Sequence, residues 1–84
     1  MDIMFSANMI KNEVEIILKE LKLNHVSEIE ETRNGASIII VFSYAYKCDK
    51  AFNSLKVRYD HKRMFGVFID VVKKANYIVR INLY

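Results

Sequence analysis

The densest chemistry in the sequence lies in one run of eight residues, Lys56-Val57-Arg58-Tyr59-Asp60-His61-Lys62-Arg63. Four permanent cations, one imidazole and one phenol ring fall within it. Lys and Arg neutralise phosphates and release condensed counterions, and a tyrosine ring stacks on bases, so these types together are the chemistry of a nucleic-acid contact. Lys73, Lys74 and Arg80 extend the set downstream. The competing reading is a solvated strand end and helix start, with Tyr59 turned into the core. RNA is expected over duplex DNA, because the chain has no helix-turn-helix, zinc-finger or basic-zipper pattern and a sheet carrying Lys, Arg and Tyr is a common platform for unstacked bases.

Other chemistries find less material. His25, His61 and Cys48 are far apart, with no CxxC, HxxxH or carboxylate cluster between them, so no metal site and no cofactor is expected. Gly35 and Gly66 are the only glycines, which excludes a glycine-rich phosphate cradle, and no GxSxG or paired-carboxylate motif is present. The chain therefore reads as a non-enzyme. The one catalytic alternative is a metal-independent ribonuclease, with His61 as general acid or base and Lys62 or Arg63 on the scissile phosphate. Cys48 reads as a small buried residue rather than a nucleophile.

The charge is polarised along the chain. Residues 1–42 carry four Lys/Arg against seven Asp/Glu, a net charge of −3, while residues 43–84 carry nine against three, a net charge of +6. A one-signed surface attracts polyanions and accelerates their encounter. The expected function is thus a small regulatory protein that binds RNA or another polyanion. The alternative is a protein partner: an inhibitor of the phage or mobile-element type that blocks a host enzyme, a nucleic-acid enzyme among the candidates. The lack of Pro, Trp and Gln beside abundant Ile, Lys and Asn is the skew of AT-rich genomes, such as those of many phages.

The elements that must position these residues follow from periodicity. Ile10, Val14, Ile17, Leu18 and Leu21 predict an amphipathic helix over 7–23, capped by Ser6 or Asn8 and ended at Asn24. Asn34-Gly35 predicts a type I′ hairpin turn between an acidic edge strand, 27–33, and a strand over 36–46 with Ile38, Ile40, Phe42, Tyr44 and Tyr46 on one face and Ile39 and Val41 on the other. A loop is expected over 48–53. The alternation of Leu55, Val57 and Tyr59 then predicts a strand, preferred over a helix starting at Asp49. Residues 61–75 separate into polar and apolar arcs at helical spacing and predict a second helix with Asp60 as N-cap; the rival is strand-turn-strand. A last strand is expected over 77–83.

The outcome is an α+β domain of order α-β-β-β-α-β, with an antiparallel sheet of three to four strands. Its first five elements resemble in outline the double-stranded-RNA-binding domain, with His61-Lys62-Arg63 where that fold's second helix begins, although the characteristic loop sequence is not found.

Eighty-four residues, 52% of them hydrophobic and 27% charged, suit one folded domain spanning 1–84. A single cysteine permits no internal disulfide, which suggests a reducing compartment and a cytoplasmic location. The longest uncharged apolar run, 36–46, is too short to span a membrane. A strand apolar on both faces, and a last strand read as an edge, point to a homodimer.

Overall fold

The computed structural model describes residues 2–84. Its first helix, α1 (Ile3–Glu20), starts one turn earlier than the apolar spacing suggests. Asp2 is the N-cap and accepts the Met4 amide at 3.1 Å. Ser6 and Asn8 are engaged inside the helix instead: Ser6 Oγ donates to the Phe65 carbonyl at 2.6 Å, and Asn8 Nδ2 to the Met4 carbonyl at 2.9 Å. Ala7, Ile10, Val14 and Leu18 form its buried stripe. Lys22, with φ 59°, supplies the left-handed residue expected at Asn24.

Strands β1 (His25–Thr32) and β2 (Gly35–Phe42) form the expected antiparallel hairpin, with Thr32 opposite Gly35. Its two-residue turn is Arg33-Asn34, not Asn34-Gly35, and neither residue has positive φ. Gly35 matters for another reason. A Cβ there would collide with the Leu83 carbonyl oxygen and lie 3.2 Å from Tyr84 Cα, because β2 runs hard against the last strand.

The middle of the chain departs from expectation. Residues 45–59 form one helix, α2 (Ala45–Tyr59), which absorbs Tyr46, the expected loop and the expected strand at 55–59. Cys48, Ala51, Leu55 and Tyr59 recur at three- and four-residue spacing and are buried, a better amphipathic match than the short alternation of 55–59. The stripe of the following residues points elsewhere because the helix ends there. Asp60 is its C-cap, and His61, at φ 58°, turns the chain back.

Residues 61–75, expected as a helix, are a hairpin of β3 (Lys62–Met64) and β4 (Val67–Ala75). The turn is Phe65-Gly66, at φ 53° and 78°, the geometry of a type I′ turn. Left-handed backbone at a phenylalanine costs about 1 kcal/mol. The Ser6 hydrogen bond to its carbonyl and the packing of its ring against the core offset that cost. β-Branched residues decide the rest, since Val67, Ile69 and Val71 alternate as well as they spiral. The chain closes with β5 (Ile78–Leu83) as expected.

The order is therefore α-β-β-α-β-β-β, and the outline shared with the double-stranded-RNA-binding domain does not hold. All five strands are antiparallel in the spatial order β1-β2-β5-β4-β3. β1 is an edge as expected, but β5 is the central strand, which removes one argument for self-association. Ile38, Ile40 and Phe42 of β2, Val79, Ile81 and Leu83 of β5, and Val67, Ile69 and Val71 of β4 point to one side and join the stripes of both helices in a single core. The other side of the sheet has no helix over it. No helix among the described residues is long and apolar enough to cross a membrane.

Gly35→Ala is expected to destabilise the fold by about 3 kcal/mol, at the upper end of ordinary overpacking. Asn34→Ala should change stability by no more than about 0.5 kcal/mol, since this residue needs no left-handed backbone. Urea unfolding of the two variants checks both values.

Candidate nucleic-acid interface

Alternation along each strand sends a second set of side chains to the uncovered face. The register aligns them in rows: Val26, Val41 and Ile78; Glu28, Ile39, Arg80 and Val72; Glu30, Ser37, Asn82 and Asp70. In the next row Phe68 pairs with Arg63 on one side and exchanges backbone hydrogen bonds with Tyr84, at 2.8 and 3.1 Å, on the other.

Three rings stack along this end of the sheet. His61 lies on Phe68 with centroids 6.1 Å apart and planes 20° apart, and Phe68 lies on Tyr84 at 5.8 Å and 18°. The outer rings are open to solvent: Tyr84 is 52% exposed, and the His61 side chain 72%. Beside them lies a depression of about 360 Å³ lined by residues of the β1–β2 turn, β2, β4 and β5. Arg33, Lys74 and Arg80 contribute three cations to its lining, Tyr84 an aromatic wall, and no Asp or Glu is among the lining residues.

The structure divides the residues singled out in the sequence. His61, Arg63, Lys74 and Arg80 belong to the uncovered face or its rim. Lys56 sits on α2 over the Phe52 ring, and Arg58, also on α2, is paired with Glu13 of α1 at 2.7 Å. Lys62 donates to the Val57 carbonyl at 3.0 Å, and Lys73 is paired with Asp49 of α2. Tyr59 is fully buried, so its ring is a core residue and not a stacking surface. Phe68, Tyr84, Asn82 and Arg33 were not among the expected site residues. The signal for the first three was present in the alternation of 67–74 and 78–84, once those segments are read as strands.

Polar contacts tie the two helices to each other and the first helix to the sheet. The Tyr59 hydroxyl donates to Glu13 Oε1, which Arg58 Nε also reaches at 2.9 Å. The Tyr59 hydrogen bond, followed by the Arg58 contacts, overcomes the burial that opposes them and holds the Glu13 carboxyl below its ordinary value. Burial, reinforced by Glu13, pushes the Tyr59 phenol well up. At the far end of α1, Glu15 is raised by burial but lowered more by Ser27 and His25, leaving a net fall. His25 Nε2 lies 2.6 Å from Glu15, and Nδ1 lies 2.8 Å from the Leu23 carbonyl. Burial raises the Cys48 thiol, which is an inert core group.

One grouping escaped the sequence because its members are nine residues apart. Asp60, His61 and Asp70 each bring a metal-ligating atom within 4.8 Å of the others. Asp60 Oδ1 accepts the Val71 amide at 2.8 Å, which ties the end of α2 to β4. His61 Nε2 stands 3.8 and 3.6 Å from the two carboxylates, so they orient the outermost ring of the stack. No protein-family model, curated protein or solved structure matches the chain.

Glu13 gives the fold an acid-sensitive contact. Its folded-state value lies below the ordinary 4.5, so the stabilisation is complete above that pH and is lost as pH falls through the lowered value. Glu13→Gln is therefore expected to lose less stability than the parent protein between pH 6 and pH 3, values on the order of the carboxylate range. Tyr59→Phe should cost about 1.5 kcal/mol at neutral pH, the value of a hydrogen bond to a charged group. Denaturant titrations across that pH range check both.

Proposed function

We propose that the chain is a non-enzymatic regulatory protein that binds single-stranded nucleic acid, RNA in preference to DNA, on the uncovered face of its sheet. The observation that carries this reading is the stack of His61, Phe68 and Tyr84 beside a depression whose charged lining residues are all cations. Open rings offer π-faces to bases of any type, and cations at their margin neutralise the connecting phosphates. A preference for RNA rests on Thr32, whose hydroxyl, among the lining residues of the depression, is of the kind that pairs with a 2′-hydroxyl. Lys56, Lys62 and Lys73, on other surfaces, add long-range attraction rather than contact. The free, buried Cys48 suits a reducing, cytoplasmic setting.

A second reading has its own observation. At the opposite end of the same face the row Val26, Val41 and Ile78 is apolar, with Val26 73% and Val41 42% exposed. Such a row suits a protein partner, either a second copy of the chain or an enzyme to be blocked. Gel-filtration mass, and capture from lysate with and without nuclease, separate these from nucleic acid.

The first reading is tested by fluorescence anisotropy with a labelled single-stranded RNA. Neutralisation of about four phosphates predicts that affinity falls roughly 50-fold between 50 and 200 mM salt, values of the usual range. Tyr84→Ala should weaken binding about tenfold by removing a stacking surface, and Phe68→Ala should weaken it as well by removing the ring that holds the two outer rings in line, with circular dichroism unchanged. Salt-insensitive binding, or full affinity in both variants, would count against the proposal.

A further inference from the structure

We infer that the depression beside Tyr84 is a base-reading position and that it selects guanine through Asn82 and Arg80. This rests on the reading of the face as a nucleic-acid surface, and adds to it a substrate preference.

The argument begins with the orientation of one amide. Asn82 Oδ1 is approached by Ser37 Oγ at 2.9 Å and by Arg80 Nε at 3.2 Å. A guanidinium nitrogen can only donate, so the atom it meets must be the amide oxygen, which fixes which way Asn82 points. Ser37, only 2% exposed, holds that oxygen from beneath. The oxygen is thereby occupied twice, and what Asn82 has left to offer is its NH2 group. Arg80 adds further N–H groups; one terminal nitrogen stands 3.7 Å from Glu30. Every hydrogen-bonding group that this pair still presents is a donor.

Bases differ sharply in what they return to a row of donors. Guanine offers two adjacent acceptors, N7 and O6, on an edge that the Asn82 amine and one Arg80 N–H can meet together. Adenine places its N6 amine beside N7, so a donor would face a donor. An asparagine free at both ends pairs with adenine through its own oxygen. Here that oxygen is engaged by Ser37 and Arg80, and the usual adenine pairing is closed off.

The surroundings supply the rest of a nucleotide site. Tyr84 lies two residues beyond Asn82, and their side chains share a face of the sheet about 7 Å apart. A base stacked on the Tyr84 ring thus brings its edge over Asn82 and Arg80. Arg33 and Lys74 stand at the margin, where the flanking phosphates would lie; no Asp or Glu side chain is among the lining residues, and Glu30, just outside them, is paired with Arg80.

The test uses four labelled RNA octamers, all uridine or uridine with one central guanosine, adenosine or cytidine. A single guanosine per strand precludes quadruplexes. Anisotropy titrations should give the guanosine octamer about tenfold tighter binding than the adenosine one, the size of one good base contact. Asn82→Ala should bring that ratio close to one. Ser37→Ala, which leaves Arg80 on the amide oxygen but frees one of its lone pairs to accept the adenine N6 amine, should shrink the ratio chiefly by improving adenosine binding, a change that loss of stability would not produce. Binding of the uridine octamer with a guanosine-to-adenosine ratio below about two would overturn guanine selection and leave the surface reading intact. Failure of every octamer to bind would overturn both. A guanosine preference undiminished in Asn82→Ala would show that another group reads the base.

Discussion

The width of a five-stranded sheet, set against the width of two helices, governs the rest of this structure. Strands spaced about 4.8 Å apart make a sheet roughly 20 Å across, and two helices side by side at about 10 Å cover that width once. The described residues form no third helix, so one face receives the entire helical layer and the other receives none. Ile38 and Ile40 go inward while Ile39 and Val41, from the same strand, go outward. The apolar and aromatic side chains of the second face are a consequence of that count of elements and not of poor packing.

A face left open in this way is rigid where loops would be mobile. Its rings and polar groups stand on the three adjacent strands β5, β4 and β3 and on the residue that leads into β3, and their spacing is set by the backbone ladder. The helical side fixes that ladder in turn. Ser6 of α1 grips the Phe65-Gly66 turn that aligns β3 with β4, and Asp60 at the end of α2 grips Val71. The stack of His61, Phe68 and Tyr84 is thus held from behind, by Ser6, which does not touch it, and by Asp60, whose carboxylate also faces His61.

Legibility in the sequence followed the strength of local signals. α1 and β5 were readable because their apolar residues keep one period, and β1 and β2 because the Asn34-Gly35 signal marked a hairpin between them. The stretch from Tyr44 to Ala75 was not. Leu55, Val57 and Tyr59 satisfy a strand alternation over five residues, yet Cys48, Ala51, Leu55 and Tyr59 satisfy a helix over twelve, and the longer pattern won. Met64 to Val71 is apolar at nearly every position, and a segment buried on one face and half-buried on the other has no period to betray it. Only Gly66 pointed to a turn. The candidate site inherited that ambiguity: with 61–75 read as a helix, Phe68 faces the core, and its neighbours across the sheet cannot be named. The cations were visible as a cluster along the chain, but linear proximity says nothing of which side each takes. Arg58 and Arg63, five residues apart, lie on opposite sides of the molecule.

The polarity of charge between the two halves of the chain has a meaning inside the molecule as well. The first half contributes α1, β1 and β2, and the second contributes α2 and the other three strands; one strand ladder, β2 with β5, joins them. Across that seam run two ion pairs, Glu13 with Arg58 in the helical layer and Glu30 with Arg80 on the open face, and in each the acid comes from the first half and the base from the second. Electrostatically the domain is a complex of an acidic piece and a basic piece that share a peptide bond. The basic half is thus partly neutralised from within the molecule.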